Sequence, residues 1–333
     1  MPQPSSDAHV DRILTNISIA FMQESSNFVA SQVFPIVPSQ RQSDKFFTYD
    51  QDDWFREEAQ LRAPSTESAG SGWSLGTDTY FCDVYAVHKD IDEQIEKNAD
   101  DMINIRADAA RWVAGQLLMK LESKFVSDFF TTSLWTGSTS GNDQVGVSSN
   151  PGSDQFLQWN DPASTPIEDI EDLKLEMLEK TGKEPNTLLL GPKVGAALRR
   201  HPDILDRIKF TQRGVITDEL IASLLEIPRV FTAKATRNTA KEGTTDAYSF
   251  YYGKNALLCY SAPQASLMEA SAGYTFAWTG YTGTGGVEGL GTGARTSVIP
   301  VPLRKSVRVE GEMSVDFKQI AADLGIFFSG AVA

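Results

Sequence analysis

Cysteine and histidine are scarce in this chain, and their scarcity removes several chemistries at once. Cys82 and Cys259, the two cysteines among 333 residues, suit buried reduced thiols better than a disulfide framework or a thiolate metal site. His9, His88 and His201 are too few and too scattered to build a metal shell or to single out a general base. No Walker A pattern occurs. No run of about 18 apolar residues exists, so no membrane-crossing helix is expected. The amino terminus MPQPSSDAHV lacks the basic start and apolar segment of a secretory signal, which points to synthesis in the cytoplasm. Positive charge is also short: 30 Lys and Arg against 44 Asp and Glu, a formal net charge of -14. Such a balance argues against a surface that holds nucleic-acid phosphates. Carboxylates are plentiful, but nothing selects one pair for acid–base work.

One glycine motif needs separate treatment. Gly289-Leu-Gly-Thr-Gly-Ala294 fits the loose dinucleotide fingerprint, which needs a strand before it and a helix after it. Here a glycine-rich loop precedes it and a proline-punctuated strand pattern follows, so a nucleotide site is not expected. Gly137-Ser-Thr-Ser-Gly141 approaches a nucleophile elbow but has Thr139 at the serine position, inside a polar loop.

What is present is a folded globular composition, 41% hydrophobic and 10% aromatic, long enough for two or more cores. The longest helical pattern runs from Asn98 to Phe130. Met102, Ile105, Ala109, Val113, Leu117, Leu121, Phe125 and Phe129 recur at steps of three or four and form one apolar face. Asn98 reads as the N-cap and Asp101 as its capping-box partner. At ~1.5 Å per residue the rod would span roughly 50 Å and serve as a spine.

Ahead of it, FVASQVFPIVP (Phe28–Pro38) reads as an apolar arm whose prolines block a regular helix or a central strand. From Gln42 to Asp92 the chain makes an excursion. KFFTYD leads out, an aromatic and charged turn DDWFREEAQLR follows, and an alternating strand through Tyr80–Val87 returns. A long hairpin rich in aromatics implies a partner. Trp54, Phe55, Trp73 and Tyr80 are candidates for that contact, with core packing inside one subunit as the competing reading. Phe28 and Phe34 of the arm and Arg56 of the turn are further candidates. Charge is uneven: Asp44–Asp108 holds 16 acidic and 6 basic residues, whereas Arg199–Arg213 carries Arg199, Arg200, Arg207, Lys209 and Arg213 against Asp203 and Asp206. Either these are solvated faces, or an acidic arm of one subunit docks on a basic patch (Arg199, Arg200, Arg213) of the next.

Beyond a Gly/Ser/Asn-rich excursion at 135–162, a second compact region begins at Thr165. Thr165, Pro166 and Glu168 mark a helix start, and Gly182 marks its stop. The strand TLLLG follows, then helices near 192–200, 202–210 and 217–225, and strands near 229–236, 247–252 and 256–261. This alternation predicts an α+β protein built on a mixed sheet. A glycine-rich loop at 279–296, the VIPVP segment, a strand at 304–313 and the apolar tail AADLGIFF close the chain.

The order of these parts resembles the major capsid proteins of tailed bacteriophages, with the Hong Kong 97-type fold. The phrases FVASQVFPIVP, QSDKFFTYD (42–50), YFCDVYAVHKDID (80–92) and RVEGEMSVDFKQIAADLGIFF (308–328) are similar to those of major head proteins. The resemblance implies an N-terminal arm (1–41), an extended loop (42–92), a peripheral domain (93–164 and 301–333, spine 98–130) and an α/β axial domain (165–300). It implies self-assembly through pentamers and hexamers into an icosahedral shell around DNA, portal, scaffolding and decoration proteins as partners, no cofactor and no enzymatic activity. The loops 236–246 and 279–296 would gather at symmetry axes. Some members cross-link through a lysine of the extended loop; Lys45 and Lys89 lie at the loop's base, so noncovalent stabilisation is expected. A tail-tube or decoration protein, and an α+β enzyme using carboxylates near the glycine-rich loop, are the alternatives.

Overall fold

The computed structural model describes residues 23–49, 51–98, 104–208, 217–266, 269–283 and 290–333. Residues 11–21, whose sequence carries a short helical pattern, lie outside them.

The arm is short and closely held. Helix α1 (Ala30–Val33) ends where Pro35 forces Phe34 into an extended conformation, φ -113° and ψ 148°. Strand β1 (Ile36–Ser39) then lies parallel to a later strand at the sheet's edge, where Pro38 removes no needed ladder donor. Strands β2 (Ser43–Tyr49) and β3 (Leu75–Phe81) form the ribbon, with seven antiparallel pairs from Ser43↔Phe81 to Tyr49↔Leu75. One turn of helix, α2 (Gln51–Trp54), begins its tip. The alternation at 80–87 is not one ribbon strand. Cys82 is fully buried and breaks it, and β4 (Asp83–Asp92) leaves the ribbon to join the main sheet.

The spine starts later than its pattern predicts. Asn98 ends a separate helix, α3 (Glu93–Asn98), and the long helix α4 runs Ile105–Phe129 with Asn104 as N-cap, its side chain accepting from Ala107 N at 3.0 Å. Asp101, the expected capping partner, lies outside the described residues. Twenty-five residues give roughly 37 Å rather than 50 Å. The apolar face is as expected, with Ala109, Val113, Leu117, Leu121, Phe125 and Phe129 buried.

Beyond α4 come β5 (Gln144–Val147), β6 (Gln155–Leu157), α5 (Pro166–Thr181), β7 (Thr187–Leu190), α6 (Pro192–Leu198), α7 (Pro202–Ile208), α8 (Asp218–Leu224), β8 (Arg229–Thr232), β9 (Thr236–Asn238), β10 (Tyr248–Phe250) and β11 (Ala256–Cys259). Helix α5 stops at Gly182, which takes the left-handed conformation with φ 65°. The chain closes through β12 (Gly273–Trp278), α9 (Thr279–Thr282), β13 (Ala294–Val301), β14 (Ser306–Gln319) and β15 (Gly325–Ser329).

Two sheets organise these elements into an α+β fold. The first has the order β1-β12-β14-β13, with β4 also on β14. Strand β14 is its axis: residues 306–313 pair with β13, 306–315 with β4, and 315–319 with β12. Helix α4 lies on this sheet so closely that a Cβ at Gly311 would stand 2.2 Å from Val113 Cγ1. The second sheet, β6-β5-β15-β11-β7-β8, is mixed. It carries a core of Trp159, Ile167, Ile170, Met177, Leu188, Leu258 and Phe328. The sheets cut across the boundaries implied by the resemblance. Residues 273–278 and 294–301, expected in the axial domain, are strands of the α4 sheet. Strands β5, β6 and β15, expected in the peripheral domain, belong to the other sheet. Hydrogen-bonding partners decide membership here: β12 meets β1, and β15 meets β5 and β11, from far off in sequence, while β13 and β6 follow their near neighbours β14 and β5 into those sheets.

Candidate assembly surface

The residues singled out from the sequence separate into two groups, and a third joins them in the structure. Phe28, Phe34 and Tyr80 are buried within their own chain, at 4%, 2% and 6% exposure, and are corrected from contact candidates to core. Phe34 sits among Phe129, Phe125 and Trp135, with ring centroids at 4.7, 6.0 and 6.5 Å. Tyr80 stacks on Phe276 at 4.3 Å, and its hydroxyl lies 2.6 Å from Ser39 Oγ. Arg199 is also engaged inside the chain, with its guanidinium on Asp218 and 3.3 Å from Thr232 Oγ1. Arg213 lies outside the described residues.

The second group is exposed. Trp54, Phe55 and Trp73 crown the ribbon at 53%, 63% and 66% exposure, joined by Phe47, Leu61 and Leu75. Arg56 and Arg200 are exposed as well. The tip has internal order: the Trp54 and Trp73 rings lie 6.0 Å apart. Asp53 accepts from Ser74 N at 2.7 Å and Ser74 Oγ at 2.6 Å, bonds that hold its carboxyl below the usual range. Residues 59–79 are exposed throughout.

The third group went unrecognised in the sequence, and it fixes the arm and the ribbon. Glu122 on α4 has no exposed surface. Its two oxygens accept from Val29 N and Ala30 N, each at 3.0 Å, and Tyr252 donates its hydroxyl at 2.7 Å. Burial raises the Glu122 pKa, against the opposing pull of these bonds. The arm is further tied by Gln23, which exchanges two bonds with the Thr236 backbone (2.7 and 2.9 Å), and by Ser261 Oγ to Val33 O (2.6 Å). At the ribbon's base, Asp316 accepts from Phe81 N at 3.0 Å and faces Lys124 at 3.6 Å. Glu312 joins α9 to β13 by accepting from Tyr281 OH and Arg295 Nε, both at 2.5 Å. Burial works against its charge, but the two donors prevail and lower its pKa. The sequence signal for Glu122 was a carboxylate lodged between Leu118, Leu121 and Phe125 in an apolar stripe. Asp316 and Glu312 carried a comparable one, acidic residues inside a strand that is otherwise buried.

Both cysteines and His201 are buried. Burial pushes both cysteine thiols up to about 12, and neither thiol is paired. His201 is buried, with Nε2 3.0 Å from both Ser164 Oγ and Asp161 O, while Nδ1 accepts from Asp203 N at 3.2 Å. Among the described residues no group of three or more His, Cys, Asp or Glu could hold a metal ion, and no helix is long and apolar enough to cross a membrane. The glycine motif opens into a strand: Gly291 and Gly293 take φ 70° and 97° and lead into β13. Its neighbour Thr279 is tied to Ser39 O at 2.9 Å, which places the start of the 279–296 loop beside β1 in the α4 sheet. Residues 236–246 begin with β9 and form the turn of its hairpin with β10.

No protein-family model matches the chain. It is 28% identical over 331 residues to the major capsid protein of Pseudomonas phage JBD67, covering 97% of each chain. It is 23% identical to that of Burkholderia phage BcepMu, covering 80% of this chain and 82% of the other. Among solved structures, a phage-related protein from Bordetella bronchiseptica RB50 superposes with a TM-score of 0.66 at 19% identity, covering 93% of each chain. The capsid of cyanophage P-SCSP1u superposes with a TM-score of 0.61 at 11% identity, covering 97% of this chain and 93% of the other.

Proposed function

We infer that this chain, a homologue of phage major capsid proteins with the fold of phage capsid shells, is the repeating subunit of a phage head. The observation that carries the inference is the match to a phage major capsid protein along 97% of both chains. The surface supports it. A two-stranded ribbon is marginal in water, and a monomer has no use for a tip bearing Trp54, Phe55, Leu61 and Trp73. Neighbouring copies would cover that tip.

On this reading the six-stranded sheet is the scaffold of an axial domain, and the β14 sheet with α4 is the peripheral body. Subunits gather as pentamers and hexamers that close an icosahedral shell, assembled in the host cytoplasm with portal, scaffolding and decoration proteins as partners. A net charge of -14 suits a container that confines DNA without adhering to it. The protein acts by association and not by catalysis, and its subunits are held without covalent cross-links.

Electron microscopy of the purified protein under a range of salt and concentration conditions tests the reading. Closed shells are expected. Small uniform particles in every condition would overturn it, and open rings or tubes would point to a tail component instead.

A further inference from the structure

The tip of the ribbon reaches back to its own subunit. Gln51 Nε2 donates to the carbonyl of Lys180 at 2.6 Å, and the Phe55 ring lies 3.4 Å from the position a Cβ would take at Gly182. Both partners belong to the end of α5. A helix leaves its last carbonyls without intrahelical donors, so Lys180 O can accept from outside. Gly182, at φ 65°, takes a conformation that side-chain-bearing residues rarely adopt, and its bare Cα gives the ring a seat. The end of α5 is therefore a receptor matched to the tip in shape and hydrogen bonding.

Each of these two contacts, a neutral hydrogen bond and a ring contact, is weak by itself beside the freedom of a two-stranded lever. Seven pairs at ~3.4 Å per residue make that lever roughly 24 Å long. Its base is pinned, by Tyr80 and Phe46 on Phe276 and by Phe81 N on Asp316, so the movement it allows is a bend of the exposed outer ribbon beyond those contacts. Most of the tip's apolar surface stays uncovered by the self-contact.

We propose that this contact is exchangeable: the tip rests on α5 of its own chain in the free subunit and takes the end of α5 in a second copy within the shell. Every copy carries the same receptor, so the exchange needs no new chemistry, and swapping an identical contact between protomers is a low-cost route to association. The self-contact then competes with assembly and delays it until neighbours are concentrated. This proposal rests on the shell reading above.

The test places a photo-cross-linker at the seat, as Phe55→p-benzoylphenylalanine, in ¹⁵N-labelled and unlabelled subunits. Position 55 is 63% exposed, so the fold tolerates the change. Irradiated free subunits should couple residue 55 to the 180–183 peptide within one isotope, whether or not the pools are mixed. Shells assembled from an equal mixture and then irradiated should give mixed-isotope adducts in about half the cases. Subunits cross-linked to themselves before mixing should be left out of shells. Free subunits with no adduct at 180–183, shells with same-isotope adducts alone, or full incorporation of self-cross-linked subunits would each overturn the exchange. If microscopy shows no shells while the free-subunit adduct forms, the shell reading fails, visibly apart from the contact itself, and the exchange falls with it.

Discussion

Glu122 and Glu312 are both buried carboxylates that receive two or more hydrogen bonds, yet they respond to pH in opposite senses. Glu122 meets backbone and phenol donors without a countercharge, and burial raises its pKa above the usual 4.5. A raised folded-state pKa means its contribution is full below the unfolded value and is lost as pH rises through the folded one. Glu312 meets the Arg295 guanidinium, and its pKa is lowered. Its contribution is present above the unfolded value and is lost as pH falls through the folded one. Urea unfolding between pH 3 and 8 should show this contrast. The advantage of the wild type over Glu122→Gln should shrink as pH rises above about 4.5, whereas its advantage over Glu312→Gln should shrink as pH falls below it. Parallel trends in the two variants would refute the assignment. Glu122→Ala strands Val29 N, Ala30 N and Tyr252 OH. At about 1–3 kcal/mol for each unpaired buried group, a loss of at least about 3 kcal/mol is expected. Amide exchange at residues 28–34 should quicken more than at 326–328, because the arm depends on that carboxylate.

At the scale of the element, the spine and its strand form the joint most sensitive to volume. Gly311 on β14 faces Val113 and Leu117 of α4, and an added Cβ would fall 2.2 Å from Val113 Cγ1 and 3.0 Å from Leu117 Cδ1. Gly311→Ala must push the helix off the sheet and is expected to cost about 1–3 kcal/mol, measured as a lower melting temperature. Phe125→Ala removes a ring that meets Phe34, Phe129, Tyr252 and Phe317, and about 3–5 kcal/mol is expected. The helical stripe was legible from 105 onward because the helix period and the buried face coincide. Its start was misplaced because Asn98 and Asn104 are both good N-caps by residue type, and it is Asn104 whose side chain caps α4. The alternation at 80–87 was read correctly as extended chain. The step from ribbon to sheet at Cys82 was invisible, since it arises from burial against Tyr274 and Phe276, nearly 200 residues away in sequence.

For the whole molecule, the α+β class and the order of parts were legible, whereas the membership of the two sheets was not. Local periodicity names a strand but cannot name its neighbour: β15 pairs with β11 and β5, and β12 with β1 and β14. The same limit governs the charge pattern. Five basic residues between 199 and 213 read as one patch, but Arg199 spends its charge on Asp218, while Arg200 beside it is exposed. If an acidic ribbon of one copy is steered toward this face of another, Arg200 carries the attraction among the candidates the structure describes. Exposed charges act over a Debye length of about 10 Å at 0.1 M salt, so the effect belongs to the rate of encounter more than to final shell stability. Arg200→Glu should therefore slow assembly several-fold at low ionic strength, flatten its dependence on salt, and leave the melting temperature of the free subunit unchanged. Arg199→Glu should lower that melting temperature, since it sets two carboxylates against each other. Light scattering across a salt series, beside thermal unfolding of each variant, separates the two effects. An Arg200→Glu protein that assembles at the wild-type rate at every salt concentration would remove charge steering through this face and leave the fold and the shell reading standing.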